Sequence, residues 1–358
     1  MIDFLIIGGG IAGVSAAARL APFGKAVVLE KESALGYHAS GRSAAMFEQN
    51  YGSASTVDLS RASAVFFETE DGGFLSPRGV MFLSKRGDTE SFQACCEKYE
   101  AATIDLDEAL NRVPVLRRDM LGHAAIHEEG RDIDTDRLLQ WCAKTCRVHN
   151  GEIHTDQLVT GVTRIESGWR VTTKDNSYTC KLLFNAAGAW ADQVAVLAGI
   201  SPLGITPLRR SMARVPAPGG HDVSRWPMLL DIHEKWYAKP DAGSLIISPA
   251  EEDPMPPFDA WPDDMVLAEG IARYQEFVTE EVTRLEASWA GLRSFAPDRN
   301  LALGPDAHDP NFIWVAAQGG YGFQTAPAAS QLIADIVMGR QSDLGDNTLK
   351  SLEPRRFS

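Results

Sequence analysis

Residues 3–30 read DFLIIGGGIAGVSAAARLAPFGKAVVLE. The pattern predicts a buried strand over 3–7, a helix over 14–20 that is stopped by Gly24, and a second strand over 26–29. A G-x-G-x-x-G joins the first strand to the helix, and an acidic residue ends the second strand. This order at this spacing is typical of a parallel α/β sheet that binds a dinucleotide.

The residues of the glycine turn have separate physical tasks. Gly8 permits the tight turn, Gly10 lets the backbone approach a pyrophosphate at the helix N-terminus, and Gly13 allows close packing of helix on strand. Glu30 is expected to accept hydrogen bonds from the adenosine ribose hydroxyls, and its charge disfavours a 2′-phosphate. The unit by itself does not distinguish FAD from NAD.

Composition narrows the class of protein. The 358 residues predict about two domains, and 44% hydrophobic with 23% charged residues is typical of a globular enzyme. Lys plus Arg is 34 and Asp plus Glu is 48, so the net charge is 34 − 48 = −14, which disfavours binding to nucleic acid or anionic lipid.

Asp3 and the glycines argue against a signal peptide over 4–18, and no stretch is long enough for a transmembrane helix. The five cysteines have no metal-binding spacing, so no metal site is predicted, and a cytoplasmic protein with reduced thiols is expected.

Several further elements follow from local patterns. Alternating residues predict a β-meander over 159–165, 169–173 and 178–183. A helix is expected over 137–148 with Asp134 or Asp136 as its N-cap, and another over 265–283. The acidic, proline-rich segment 249–264 is expected to be an irregular surface loop.

Four later stretches make the pattern more specific. They read GYHASGRSAA at 36–45, LLFNAAGAWA at 182–191, WAGLRSFAPD at 289–298 and WVAAQGGYGFQT at 314–325. Together with the glycine turn they resemble the D-amino acid oxidase superfamily of FAD-dependent enzymes, and within it the bacterial D-arginine dehydrogenases. The resemblance covers nearly the whole chain.

The resemblance implies a two-domain α/β fold. The expected FAD-binding domain is Rossmann-like and discontinuous, comprising 1–45, 131–205 and 288–358. The expected substrate domain is mainly an antiparallel sheet and comprises 46–130 and 206–287. In this group a helix at the GRSAA run lies along the flavin.

The resemblance also implies a set of FAD contacts. The start of the helix that ends at Gly339 points at the flavin, where its dipole stabilises the reduced anionic ring. Because no cysteine lies in a flavin-facing stretch, dissociable FAD is expected. The expected cofactor-binding residues are Gly8, Gly10, Ile11, Ala12, Gly13, Glu30, Lys31, Gly41, Arg42, Ser43, Ala44, Ala45, Val159, Ala187, Gly188, Trp190, Arg293, Gly319, Gly320, Tyr321, Gly322, Gln324 and Thr325.

Arg293 and Tyr237 are the candidate substrate anchors, since a guanidinium fork and a phenol suit a carboxylate. The resemblance implies that this pair holds the carboxylate, with Arg210 as a further arginine on the carboxylate side. It also implies that the Gly320 carbonyl accepts the substrate amine, that Gln324 lies near it, and that Tyr51 lies on a mobile loop over the site. Hydride transfer from Cα to flavin N5 then gives an imino acid, which hydrolyses to a 2-oxo acid.

Departures from the D-arginine dehydrogenase pattern bear on specificity. Val80 replaces a glutamate that meets the guanidinium, and Met46 replaces a pocket histidine. Glu48 replaces a neutral polar residue, so it is a candidate partner for a basic substrate. Met228 and Leu230 are either pocket lining or core. These changes predict a preference for neutral or apolar D-amino acids.

Three alternatives remain open from the sequence. A glycine- or sarcosine-type amine oxidase shares the fold. A 2-hydroxy acid dehydrogenase would need a general base, and no pocket histidine is evident. A flavin-binding subunit without turnover would not need Arg293 and Tyr237. The electron acceptor (quinone, dye or oxygen), like the oligomeric state, is not determined by the sequence.

Overall fold

The computed structural model describes residues Met1–Ser358. Its strands, in chain order, are β1 Ile2–Ile7, β2 Ala26–Leu29, β3 Met46–Phe47, β4 Leu75–Pro77, β5 Val80–Lys85, β6 Ala102–Ile104, β7 Leu121–His127, β8 Arg131–Ile133, β9 Glu152–His154, β10 Val159–Ile165, β11 Gly168–Thr173, β12 Ser177–Asn185, β13 Thr206–Pro216, β14 Met228–Asp231, β15 Tyr237–Asp241, β16 Ser244–Ser248, β17 Asp253–Pro254, β18 Ala287–Phe295, β19 Ala302–Pro305 and β20 Phe312–Ala316. Its α-helices are α1 Ile11–Leu20, α2 Ala54–Thr69, α3 Thr89–Tyr99, α4 Leu106–Arg112, α5 Thr135–Val148, α6 Ala191–Leu197, α7 Asp264–Gln275, α8 Gly322–Met338 and α9 Asp346–Leu352.

The first sheet has β1 near its centre, in the order β10-β11-β12-β1-β2-β9, with β20 beside β12 and β19 beside β20. β1 is parallel to both β2 and β12, which confirms the predicted parallel strand–helix–strand unit. Side chains alternate across β1. Phe4 and Ile6 pack in a core with α1 and α8, whereas Leu5 and Ile7 pack in a core with α6 on the other face. The predicted meander forms the β10–β11–β12 edge of this sheet.

The second sheet has the order β17-β13-β16-β15-β14-β5-β7-β6, and β18 pairs with β13. Every pairing is antiparallel except that of β14 with β5. One face buries Met81, Leu229 and Ala238 against Tyr274 of α7. The residues between them along the strands therefore project from the opposite face.

β18 joins the two sheets. It pairs with β13 from Arg214↔Ala287 to Thr206↔Phe295, and Ser294 forms an isolated bridge with Gly319, just after β20. The expected domain boundary at 288 lies inside this strand. By its pairing, β18 is part of the second sheet. A small third sheet has the order β3-β8-β4.

The expected helix at the GRSAA run is wrong. Only Ser40–Arg42 forms one turn of 3₁₀ helix, and the chain then extends into β3. The cause is a tertiary contact, because the Lys239 ammonium donates to the carbonyls of Ala44 and Ala45. Those acceptors are therefore turned toward the second sheet instead of toward a following helical turn.

Three predicted helix boundaries can be compared with the structure. Asp134 is the N-cap of α5, where its side chain accepts from the backbone N–H of Arg137 at 3.0 Å. The helix expected over 265–283 ends at Gln275, because Val278 bridges to Leu116 and the chain leaves the helical path. Gly339 has φ +65° and ends α8, as predicted. The 249–264 segment is irregular apart from β17 and the first residue of α7.

No helix is both long enough and apolar enough to cross a bilayer. All five cysteines are free, and no group of three or more His, Cys, Asp or Glu side chains is placed to hold a metal ion.

Candidate active site

Two joined cavities lie between the first and second sheets. The larger encloses about 280 Å³ and begins at the carboxyl ends of β1 and β2, while the smaller encloses about 100 Å³ beside the second sheet. Their common wall is formed by Ser43, Ala45, Met46, Arg210, Arg293, Gly320 and Gln324. A ligand in the larger cavity would therefore meet a ligand in the smaller one at this wall.

Two glycines of the turn at the larger cavity, Gly8 and Gly13, leave no room for a side chain. Gly8 has φ +114°, and a β-carbon there would lie 2.3 Å from the Ala186 carbonyl oxygen. A β-carbon on Gly13 would lie 2.0 Å from the Gly8 carbonyl oxygen. The turn thus leaves its backbone accessible to a ligand while α1 packs closely on β1.

Two helices direct their N-termini toward the larger cavity. α1 begins at Ile11 and α8 at Gly322, both residues line the cavity, and neither helix has a side-chain hydrogen bond at its N-cap. The Ile11 amide meets the Ser40 hydroxyl at 3.0 Å. The first-turn amides and the positive end of each helix dipole favour an anionic ligand at both places.

Glu30 is buried at the end of β2 and lines the same cavity. Its Oε2 accepts from the backbone N–H of Gly9 at 2.6 Å, and its Oε1 accepts from that of Glu32 at 2.9 Å. A carboxylate has further lone pairs for the hydroxyls of a ribose. The glycine cradle, the two helix ends and this acid fit the pyrophosphate, ring and ribose of FAD.

Most of the expected cofactor residues line the larger cavity. They are Gly8, Gly10, Ile11, Ala12, Glu30, Lys31, Arg42, Ser43, Ala45, Val159, Ala187, Gly188, Trp190, Arg293, Gly319, Gly320, Gly322 and Gln324. The Lys31 ammonium lies 3.4 Å from the centre of the Trp190 ring. The Arg42 guanidinium already has partners within the protein, since it donates to Asp259 and to the carbonyls of Ala260 and Ala290. These bonds hold the 249–264 loop against the cavity.

Five expected cofactor residues do not line the larger cavity. Gly13 and Gly41 lie beneath it, where β-carbons would strike the carbonyls of Gly8 and Gly36. Ala44 lines the smaller cavity instead. Tyr321 packs edge-on against Tyr51 and Phe295, and the Thr325 hydroxyl donates to the Tyr321 carbonyl in the core. These five residues therefore lie next to the lining of the larger cavity without being part of it.

The smaller cavity lies against one face of the second sheet. Val80 pairs with Met228, and Leu230 pairs with both Phe82 and Tyr237, so the five side chains share the face opposite the core. All five line the cavity. Its main wall is therefore apolar with a single phenol, and Met46 adds to the apolar part.

Arg293 is the cation at the junction of the two cavities. Burial lowers the pKa of its guanidinium, but Tyr51, Tyr237 and Tyr321 outweigh burial and place this pKa above its ordinary value. The main influences on Arg293 are burial and these tyrosines, and none of them is a carboxylate. A charged guanidinium without a carboxylate partner is a ready site for an anion.

Arg210 is a second cation on the same wall, but it already has partners. Its Nε donates to the Glu251 carbonyl at 2.9 Å, and its Nη2 lies 3.4 Å from Glu252 Oε1. Burial, and next the charge of Arg293, lower the pKa of Arg210. Arg210 therefore adds positive potential at the junction, while Arg293 has the free donors.

Gln324 links the loop that carries Tyr51 to α8. Its Oε1 accepts from the Glu48 amide at 3.3 Å and its Nε2 donates to the Tyr51 carbonyl at 3.4 Å. Tyr51 thereby lies against Arg293 and Tyr321. Gly320 lies next to them at the common wall.

Glu48 lines the smaller cavity, but it is not available as the sequence suggested. Its Oε2 lies 2.6 Å from His127 Nδ1, and its Oε1 accepts from the Asn50 amide at 3.1 Å. Each oxygen of this carboxylate therefore already has one partner within the protein. The expectation that Glu48 offers an unpaired carboxylate to a basic substrate is not supported.

Sequence reasoning missed several residues of the site. Phe82, Tyr99, Glu234 and Ala250 also line the smaller cavity, and Gln318, whose buried Nε2 has no hydrogen-bond partner, lines the larger one. Phe82 and Gln318 had a usable signal, because Phe82 is two residues from Val80 on one strand and Gln318 lies within the 314–325 stretch. The others come together through contacts between distant segments.

The comparisons with known proteins agree with this geometry. A family model described as "FAD dependent oxidoreductase" (DAO) matches residues 3–336. FAD-dependent oxidoreductase domain-containing protein 1 of Xenopus laevis is 28% identical over 209 residues, which span 51% of this chain and only 40% of that protein.

Solved structures show the same fold over the full length. Glycine oxidase from Geobacillus kaustophilus matches with a TM-score of 0.83 and 21% identity over 98% of each chain. L-Proline dehydrogenase from P. horikoshii matches with a TM-score of 0.85 and 22% identity over 99% of this chain and 97% of that one. Likeness at this level of identity establishes the fold.

Proposed function

Because the chain belongs to the DAO family of FAD-dependent oxidoreductases, we propose that it oxidises D-amino acids with neutral or apolar side chains to 2-oxo acids and ammonia. The observation that carries this proposal is Arg293, a guanidinium without a carboxylate partner at the junction of the cofactor cavity and an apolar pocket. An amino acid brings the missing carboxylate.

The residues around Arg293 can bind each part of such a substrate. Arg293 and the phenol of Tyr237 hold the carboxylate, and the carbonyl of Gly320 accepts the amine. The side chain then enters the smaller cavity, against the face that carries Val80 and Leu230. With carboxylate and amine both held, positioning supplies most of the catalysis.

The reaction removes a hydride from Cα of the substrate in its neutral-amine form, which leaves a protonated imino acid that water hydrolyses to a 2-oxo acid and ammonia. When bound, FAD supplies the hydride acceptor. No side-chain base is required if the amine enters neutral. No cysteine lines either cavity, which supports dissociable FAD. The D configuration is supported by the resemblance of the sequence motifs to D-arginine dehydrogenases.

Oxidation of glycine or sarcosine is the second candidate, and the fold shared with a glycine oxidase favours it. It uses the same carboxylate anchor and differs in the substrate nitrogen and side chain. Oxidation of a 2-hydroxy acid has less support, since it needs a base, no histidine lines the smaller cavity, and His127 beside that cavity is engaged by Glu48.

Anaerobic absorbance of the flavin band tests the proposal. Neutral D-amino acids should bleach the band, while their L-enantiomers, sarcosine and glycolate should not. Arg293→Met should abolish bleaching at the same concentrations while FAD stays bound. Bleaching by sarcosine alone would select the second candidate, and bleaching by no small amine would overturn both.

A further inference from the structure

The smaller cavity carries two carboxylates in otherwise mainly apolar walls, from Glu48 and Glu234. The Glu48 side chain is 7% exposed, whereas that of Glu234 is 44% exposed. A free carboxylate in such a pocket would attract a substrate with a cationic side chain, since charge pairs strengthen as water is excluded. What happens to the Glu48 charge therefore bears on which substrates fit.

His127 takes up that charge. Its Nδ1 lies 2.6 Å from Glu48 Oε2, and this contact is the main cause that raises the pKa of His127, against the opposing effect of burial. The other Glu48 oxygen accepts from the Asn50 amide. Both oxygens of the only well-buried acid of the pocket thus have partners within the protein.

The position of this pair matters because it lies beside the apolar wall. His127 ends β7 and lies opposite Val80 in the β5–β7 register, so the two side chains are cross-strand neighbours on one face. Val80 lines the smaller cavity, whereas His127 does not. His127 therefore acts on the pocket through Glu48, from beside the apolar wall.

We infer that His127 is a specificity-determining residue, which masks the Glu48 carboxylate and so keeps the pocket selective for neutral side chains. The inference rests on the proposed function only for the identity of the smaller cavity as the side-chain pocket. Loss of the histidine charge with retention of Glu48 should turn the pocket toward cations.

Glu234 provides an internal control. It lies in the turn between β14 and β15, where the Tyr99 hydroxyl donates to it at 3.2 Å and the Lys98 ammonium lies 3.6 Å away. Its contacts do not include His127 or Glu48. A change at Glu234 should therefore leave the effect of His127 intact.

The test measures binding of two non-oxidisable carboxylates with six carbons each to the holoenzyme by isothermal titration calorimetry. Hexanoate has an apolar end, and 6-aminohexanoate has a cationic end. The wild type should prefer hexanoate. In His127→Asn, which keeps an amide donor near Glu48, the ratio of the two dissociation constants should shift toward 6-aminohexanoate by about tenfold. His127→Gln should do the same, which covers failure of the first variant to fold.

Two double variants complete the test. His127→Asn combined with Glu48→Gln should return the ratio to the wild-type value, while His127→Asn combined with Glu234→Gln should retain the shift. An unchanged ratio in both His127 variants, or a shift that survives removal of Glu48, would overturn the inference. Because neither carboxylate is turned over, the result is independent of whether D-amino acids bleach the flavin.

Discussion

The backbone of Gly320 packs directly on the guanidinium of Arg293. A β-carbon at residue 320 would lie 3.0 Å from both Cζ and Nη1 of the arginine. In the proposed function these two residues hold the amine and the carboxylate of the same substrate. Their contact fixes how far apart the two groups are held.

Gly320→Ala should therefore displace Arg293 and lower kcat/KM for D-amino acids by about 100-fold, as expected for misplacement of a substrate by about 1 Å. Steady-state kinetics measure the loss, and the absorbance of the purified protein should show unchanged FAD content. Gly345→Ala is the matched control, since open space surrounds that glycine and its φ is −66°. Wild-type kinetics in Gly320→Ala would contradict the assigned contact.

Arg293→Lys should lower kcat/KM by about 100-fold, chiefly through KM, because an ammonium cannot replace a bidentate fork. Arg209→Lys is the control on β13, where Arg209 pairs with Asp253 and lines neither cavity. Equal losses in the two variants would mean that Arg293 has a structural role only.

Val80→Glu should raise the preference for D-arginine over D-leucine, since it places a carboxylate on the apolar wall opposite Met228. An increase of roughly tenfold or more in the ratio of kcat/KM values is expected. Val80→Gln has a similar shape without the charge and should leave the ratio near that of the wild type. The same relative turnover in all three proteins would remove Val80 from the side-chain pocket.

The His127–Glu48 pair should make stability depend on pH. The folded-state pKa of His127 is raised above its ordinary value of 6.5, so the stabilisation is fully present below pH 6.5 and is lost as the pH rises through the folded-state pKa. The Tm difference between the wild type and Glu48→Gln should then be larger at pH 6 than at pH 9. The exposed Glu152–His154 pair offers a control, since Glu152→Gln should give a smaller difference at pH 6. A Glu48→Gln effect independent of pH would contradict the pairing.

The parts of the fold that the sequence predicted are those set by neighbouring residues. The strand–glycine–helix unit of 3–30 depends on hydrophobic period and on glycine geometry, both of which are local. The N-cap at Asp134 and the stop at Gly339 are likewise local. The GRSAA run is different. The Lys239 ammonium, nearly 200 residues later in the chain, donates to the carbonyls of Ala44 and Ala45, and the expected helix does not form.

The candidate site likewise has residues that local sequence predicts and residues that only tertiary contacts bring together. The positions of Arg293 and Tyr237 followed from motifs; Arg293 lines both cavities and Tyr237 lines the smaller one. The neutralisation of Glu48 did not follow, because His127 reaches it only through the pairing of β7 with β5. No local pattern around 48 or 127 contains that register. Glu234 and Tyr99 were also missed, because they reach the pocket from segments that are distant in the sequence.

In the proposed function, β18 forms the end of the pocket that holds the substrate carboxylate, and other strands form the end that holds the side chain. This strand carries Arg293 within the second sheet and also bridges to Gly319 beside the larger cavity. In the proposed function it therefore sets the distance between the substrate carboxylate and the cofactor. The walls that meet the side chain come from β5 and β14, which do not pair with that strand. Substitutions on β5 and β14 can therefore change which side chains fit, while the position of Arg293 stays the same.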